Sequence, residues 1–259
     1  MDARRALIRC RLIGFVCLAA YLGTASASPE ASASGFVAAE LGDAALVALR
    51  GMDIAPIEDG ERHVMRCATL VRGDGSHRSV RCYAVGEEEA PNETFLFVLP
   101  IPADTRRVTE ELSHEILRAL TGVRLRGARI DGEPRQVRFA FSVMLVKDDG
   151  HTRLVVVPNH GFEAGKLGIG YRAAQREHAT QPRCYGRRNR RSTRIVARVN
   201  VDERGRPGGD VELFGVPSAQ CAALLEQWLL ERRFVPAADE AGVPVASRHV
   251  ELLAPFRGR

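Results

Sequence analysis

After residue 27 the 259-residue chain has no apolar run long enough to cross a membrane as a helix. It also lacks the patterns of common catalytic and metal centres. None of its cysteines has the Cys-x-x-Cys spacing of a zinc site. His114-Glu115 sits in a helical stretch, but position 118 is Arg118, so the metalloprotease pattern His-Glu-x-x-His fails. There is no Gly-x-Ser-x-Gly nucleophile turn. Gly165-Lys166-Leu167 lacks the Ser or Thr that holds magnesium in a phosphate loop, and Gly168-x-Gly170 has no third glycine in phase. His151 and His160 flank one strand, and a structural role is favoured over a metal. These absences point away from an enzyme and call for no cofactor.

The first 27 residues are of another kind. Arg4, Arg5, Arg9 and Arg11 precede an apolar core from Leu12 to Leu22, and Ala25-Ser26-Ala27 offers a small-x-small cleavage site. This predicts a cleavable signal peptide over 1–27 and a periplasmic or secreted chain, with an uncleaved anchor as the alternative. Without residues 1–27, which hold four arginines and Asp2, the formal charge falls from +5 to +2.

Export also fixes how the cysteines read. Beyond the signal four remain, and an even number in an oxidising compartment predicts two disulfides. Proximity favours Cys67–Cys82 and Cys184–Cys221. Asp74-Gly75 between two strand-like runs is a hairpin signal, and a turn centred there brings Cys67 opposite Cys82.

Beyond the signal the organisation alternates strands and helices. Residues 28–62 form an N-terminal extension, in which Phe36–Arg50 has helical character interrupted by Gly42. A first α+β unit spans 63–158. It has strands at Val64–Val71 and Ser79–Val85, an apolar strand at Thr94–Ile101, and a helix carrying Val108, Leu112, Ile116 and Leu120 at four-residue steps. Strands then flank Asp148-Asp149-Gly150. Residues 159–193 read as a linker that ends in a basic loop.

That loop holds Arg183, Arg187, Arg188, Arg190, Arg191 and Arg194. Guanidinium forks bind phosphate or carboxylate, so anionic lipid or polysaccharide is one reading and a solvated loop the other. Nucleic acid is excluded as a partner by the small mature charge and by Tyr185 standing alone as a stacking residue.

Residues 194–259 carry the clearest pattern. Arg194 to Leu213 reads RIVARVNVDERGRPGGDVEL, two alternating β-branched runs around a turn, and Pro217-Ser218 opens a helix. Phe234-x-Pro236-Ala237 follows the helix, and Gly242-x-Pro244 precedes a last strand from Val245 to Leu253. The helix face Ala222, Leu225, Trp228 and Leu229 should pack on the sheet, with Phe234 closing its base.

This order over 194–256 resembles the C-terminal domain of the TonB family. A diverged second copy spans 64–147, where Leu125-x-Gly127-Ala128 and Asp131-Gly132-x-Pro134 again follow a helix. The resemblance implies an α+β fold, antiparallel sheet with helices on one face, in two tandem β-β-α-β units. It also implies a protein-binding module that takes a peptide in an inter-unit groove or on the edge of its last strand, where Val245, Ser247, Arg248, His249, Val250, Glu251 and Leu252 lie. The competing reading has that edge covered by the other half of the chain.

The chain departs from the family in having no proline-rich spacer. It has Cys184-Tyr185-Gly186 where the family commonly has Tyr-Pro, and Phe214-Gly215-Val216-Pro217 where Ser-Ser-Gly is frequent. An adaptor is therefore favoured over an energy transducer for transport, which would need the N-terminal segment as an anchor. An exported enzyme with an unrecognised site is the remaining alternative.

Overall fold

The turn around Asp74-Gly75 sets the first hairpin, but through more residues than a two-residue turn. The computed structural model describes residues 35–54, 57–85, 106–182 and 195–253. Ahead of the hairpin, α1 (Gly42–Arg50) begins at Gly42 itself, whose φ of 68° marks the start of the helix and does not interrupt it. In the hairpin, β1 (Arg62–Val71) and β2 (His77–Val85) pair with Val71 opposite His77. A register shift between Ala68 and Leu70 then places Cys67 opposite Cys82, and the two form a disulfide with Cα atoms 4.1 Å apart. The bulge supplies the close, non-hydrogen-bonded pairing that a symmetric two-residue turn would have missed.

Helix α2 (Arg106–Leu120) follows, with Leu112, Ile116 and Leu120 essentially inaccessible. A short ribbon of β3 (Ala128–Ile130) and β4 (Glu133–Arg135) leads into β5 (Val137–Asp148), which pairs with β6 (His151–Val157). The resulting sheet has the order β2-β1-β5-β6. Alternation along β5 decides its two faces. Phe139, Phe141, Val143 and Leu145 are fully buried in one core with α1 and α2. Arg138, Ala140 and Ser142 fall on the opposite face.

After the short α3 (Ala164–Leu167) and β7 (Gln175–Arg176) come β8 (Ile195–Val201) and β9 (Pro207–Phe214). Helix α4 (Ala219–Leu230) is capped by the Ser218 hydroxyl, which accepts from Cys221 N at 3.2 Å. It buries Cys221, Leu225, Trp228 and Leu229 against β8. Cys221 thus takes the place expected for Ala222, which is half-buried. Phe234, fully buried, packs with Ala174, Val199, Val201 and Ala237 in a cluster separate from the α4 face. The chain ends in β10 (Phe234–Val235), β11 (Ala237–Ala238), β12 (Pro244–Val245) and β13 (Ser247–Leu253). The second main sheet has the order β13-β8-β9. The fold is α+β, with open sheets, and every strand pairing among the described residues is antiparallel.

The two sheets repeat one set of geometric details. Val71 pairs with Val137 and His77, and Val201 pairs with Ser247 and Pro207. Leu125 N donates to Gly75 O at 2.9 Å, and Phe234 N donates to Gly205 O at 3.0 Å. Gly75 and Gly205 have φ of 81° and 68°. A Cβ on either would run into the carbonyl oxygen of Leu125 or Phe234, so both turns need glycine for the backbone angle and for the close approach.

Residues 159–182, read from sequence as a linker, are held from several sides. The Asn159 amide donates to Ile169 O and Tyr171 O and accepts from Gly161 N, which ties off the loop through α3. Strand β7 pairs with β10, and Gln175 exchanges two hydrogen bonds with the backbone of Ala39 at 2.8 Å each. The expected strand at Thr94–Ile101 lies outside the described residues.

Candidate functional site

The last strand is shorter than its sequence pattern. Val245 belongs to β12 and pairs with Ala237, so it is not part of the edge. The edge is β13, which pairs with β8 on one side. Alternation divides its residues. Ser247, His249 and Glu251 are buried, at 5 %, 9 % and 4 % exposure. Arg248 is exposed, and Val250 and Leu252 are half-buried.

The backbone groups alternate as well. Arg248 N donates to Glu163 Oε2 at 2.8 Å, away from β8. Two-residue periodicity therefore aims the N–H and C=O of Val250 and Leu252 outward too. Among the described residues, no strand pairs with this side of β13. Glu163 seals one end of the edge and leaves the next two residues open.

The open edge borders a groove of about 540 Å³. One wall is His249 to Leu252 of β13. The opposite wall is the face of the larger sheet turned away from α1 and α2, with Ala68 and Leu70 of β1, Arg81 and Tyr83 of β2, and Arg138 and Ala140 of β5. His178 to Gln181 run along it.

At its base lies a buried charge network. Arg176 donates from Nε to Glu251 Oε2 at 2.7 Å and from Nη2 to Oε1 at 2.9 Å. Its Nη1 donates to Glu177 O, and its guanidinium stacks 4.5 Å over the Trp228 ring. Arg138 approaches the same carboxylate at 3.3 Å, and His249 Nε2 lies 3.3 Å from Oε2. Burial pushes the Glu251 carboxyl up, but Arg176 and Arg138 outweigh it and hold it well below the usual range. His249 Nδ1 donates to Ala174 O at 2.9 Å, which fixes the ring. His160 donates from Nε2 to Cys67 O at 2.9 Å. Its burial, helped by the nearby Arg66 and Arg138, pushes it down to about 3, so it is neutral at ordinary pH. Burial and Arg176 lower His178 as well.

These groups satisfy one another. Glu251 is locked as an ion, and His160 is held neutral. Among the described residues no cluster of three or more His, Cys, Asp or Glu could hold a metal. His151 and His114 are exposed, and His160 is spent on Cys67. The six arginines from Arg183 to Arg194, and Cys184 of the expected Cys184–Cys221 pair, lie outside the described residues. Among the described residues no helix is long and apolar enough to cross a membrane.

Sequence reasoning singled out Glu251 but missed Arg176, Arg138 and Glu163. An arginine inside the alternating run Val137-Arg138-Phe139-Ala140-Phe141, and a glutamate inside Val250-Glu251-Leu252, were the available signals. Both mark strand charges that need partners. No protein-family model, curated protein or solved structure matches the chain.

Proposed function

We propose that the protein is an exported, non-enzymatic binding or adaptor module that takes up an extended peptide as a fourth strand on β13. The observation that carries this reading is the outward backbone of Val250 and Leu252, open to a groove beside an otherwise paired strand. Backbone hydrogen bonds then supply affinity, and the groove supplies selectivity. The larger sheet supports the arrangement: β5, whose pairing with β1 matches that of β13 with β8, carries β6 as its next antiparallel strand.

The matched registers and the paired glycines also support reading the chain as two tandem β-β-α-β units of the TonB C-terminal kind. The Cys67–Cys82 disulfide supports an oxidising compartment, reached through removal of residues 1–27. The charge network, in which both oxygens of Glu251 accept from Arg176, favours binding over catalysis.

An array of random heptapeptides tests the proposal, probed with the native chain and with Val250→Pro. The substitution removes one outward donor and leaves the ladder to β8 intact. Capture of peptides by the native chain that Val250→Pro abolishes is the expected result. Equal capture by both proteins would refute strand addition at β13.

A further inference from the structure

We infer that the strand added to β13 carries a carboxylate, which seats between Arg81 and Arg138 on the face of the larger sheet turned away from α1 and α2; this rests on strand addition at β13. The register builds the recess. Ala68 stands opposite Ala140 on one side and opposite Arg81 on the other. Leu70, two residues on and on the same face, stands opposite Arg138. Two alanines at the centre leave room where larger side chains would fill the groove. The flanking arginines reach over that floor from the strands on either side of β1.

Charge sets what the recess accepts. The groove is lined by Arg81, Arg138 and Arg176 against the single carboxylate of Glu251. Arg176 is spent, with Nε and Nη2 on Glu251 and Nη1 on Glu177 O. Glu251 is spent in turn, since both its oxygens accept from Arg176. Arg138 reaches that carboxylate only as a second cation, at 3.3 Å, with its side chain 29 % exposed. Arg81 is exposed and has no ion pair among the described residues. His160, neutral, adds no charge.

The groove thus carries three guanidinium groups against one carboxylate, a net excess of positive charge over a floor of alanine and leucine. Low-dielectric walls concentrate such a field. A guanidinium meets a carboxylate through paired, charge-assisted hydrogen bonds. A cationic side chain in the same place would be repelled.

The test uses the full mature chain and heptapeptides selected from the random array. Each peptide is remade with Glu→Gln or Asp→Asn, and with its C-terminus free or amidated. Affinity is read by fluorescence anisotropy against the native chain, Arg81→Gln and Arg138→Gln, with circular dichroism to check folding. Arg81→Gln alters an exposed side chain, and Arg138→Gln leaves the Arg176–Glu251 pair in place.

The expected result is an acidic group at a fixed position, whose neutralisation weakens binding about tenfold, near 1.4 kcal/mol. Arg81→Gln should produce the same loss for the acidic peptide and none for its neutral version. The amidated and free forms show whether a side chain or the C-terminus supplies the carboxylate. Peptides that bind equally with and without a carboxylate, yet are lost with Val250→Pro, would overturn the carboxylate seat and leave strand addition standing. Peptides indifferent to Val250→Pro would overturn both.

Discussion

Arg176 grips Glu251 with two parallel hydrogen bonds, at 2.7 and 2.9 Å, with the two side chains only 5 % and 3 % exposed. One partner comes from β7, in the stretch read from sequence as a linker. The other comes from the edge strand β13. The pair ties the edge strand to the connecting segment and sets one border of the groove.

Glu251→Gln should therefore cost far more than a surface change. It leaves Arg176 buried beside a neutral amide, with Arg138 half-buried next to it, and breaking a buried pair from one side costs about 3–5 kcal/mol. Urea unfolding followed by tryptophan fluorescence measures this, since Trp228 lies under the Arg176 guanidinium. A loss below about 1 kcal/mol would mean the pair is dispensable.

Acid should destabilise the fold in two stages. His160 titrates near 3 in the folded chain and near 6.5 when unfolded. Between these values the unfolded state binds the extra proton, so stability is full above about pH 6.5 and falls as the pH drops towards 3. Glu251, held low when folded, adds a second loss as the pH falls below about 4.3, the ordinary glutamate value. His160→Gln should flatten the first stage and leave the second. Unfolding free energies measured from pH 7.5 to 4 check it, and an unchanged slope in the variant would rule out His160 as the source.

Gly75→Ala and Gly205→Ala should fail in parallel. Each has positive φ and a carbonyl oxygen where the Cβ would sit. The backbone angle alone costs about 1–3 kcal/mol, and the clash adds to it. Gly132→Ala is the control, with φ of 80° but nothing near its Cβ, so it should lose only the first part. Thermal melts of the three variants compare them. Equal losses at all three would remove the close approach as a shared device of the two turns.

The sequence revealed the elements more fully than the site. Leu112, Ile116 and Leu120, and Leu225, Trp228 and Leu229, were visible because helical periodicity shows itself over a few turns. Cys67 and Cys82 were paired from the turn, although a bulge that no residue pattern announced sets their register. The edge was visible as a last strand, but its inward and outward residues depended on Ala246 separating β12 from β13. The groove was not legible, because it joins Arg81 and Arg138 to Val250 and Leu252 across more than one hundred positions of chain. The tie at Asn159, with a single side chain gathering three backbone groups, likewise hides in what composition reads as a loop.

Amide hydrogen exchange along β13 in the native, unliganded chain tests the open edge most directly. Ser247, His249, Glu251 and Leu253 pair with β8, and their amides should exchange slowly. The Arg248 amide, capped by Glu163, should be intermediate. The amides of Val250 and Leu252 should exchange fast, and should become protected only when a peptide is bound. Slow exchange at all seven positions of the strand in the free protein would contradict the account, because the edge would then already be covered.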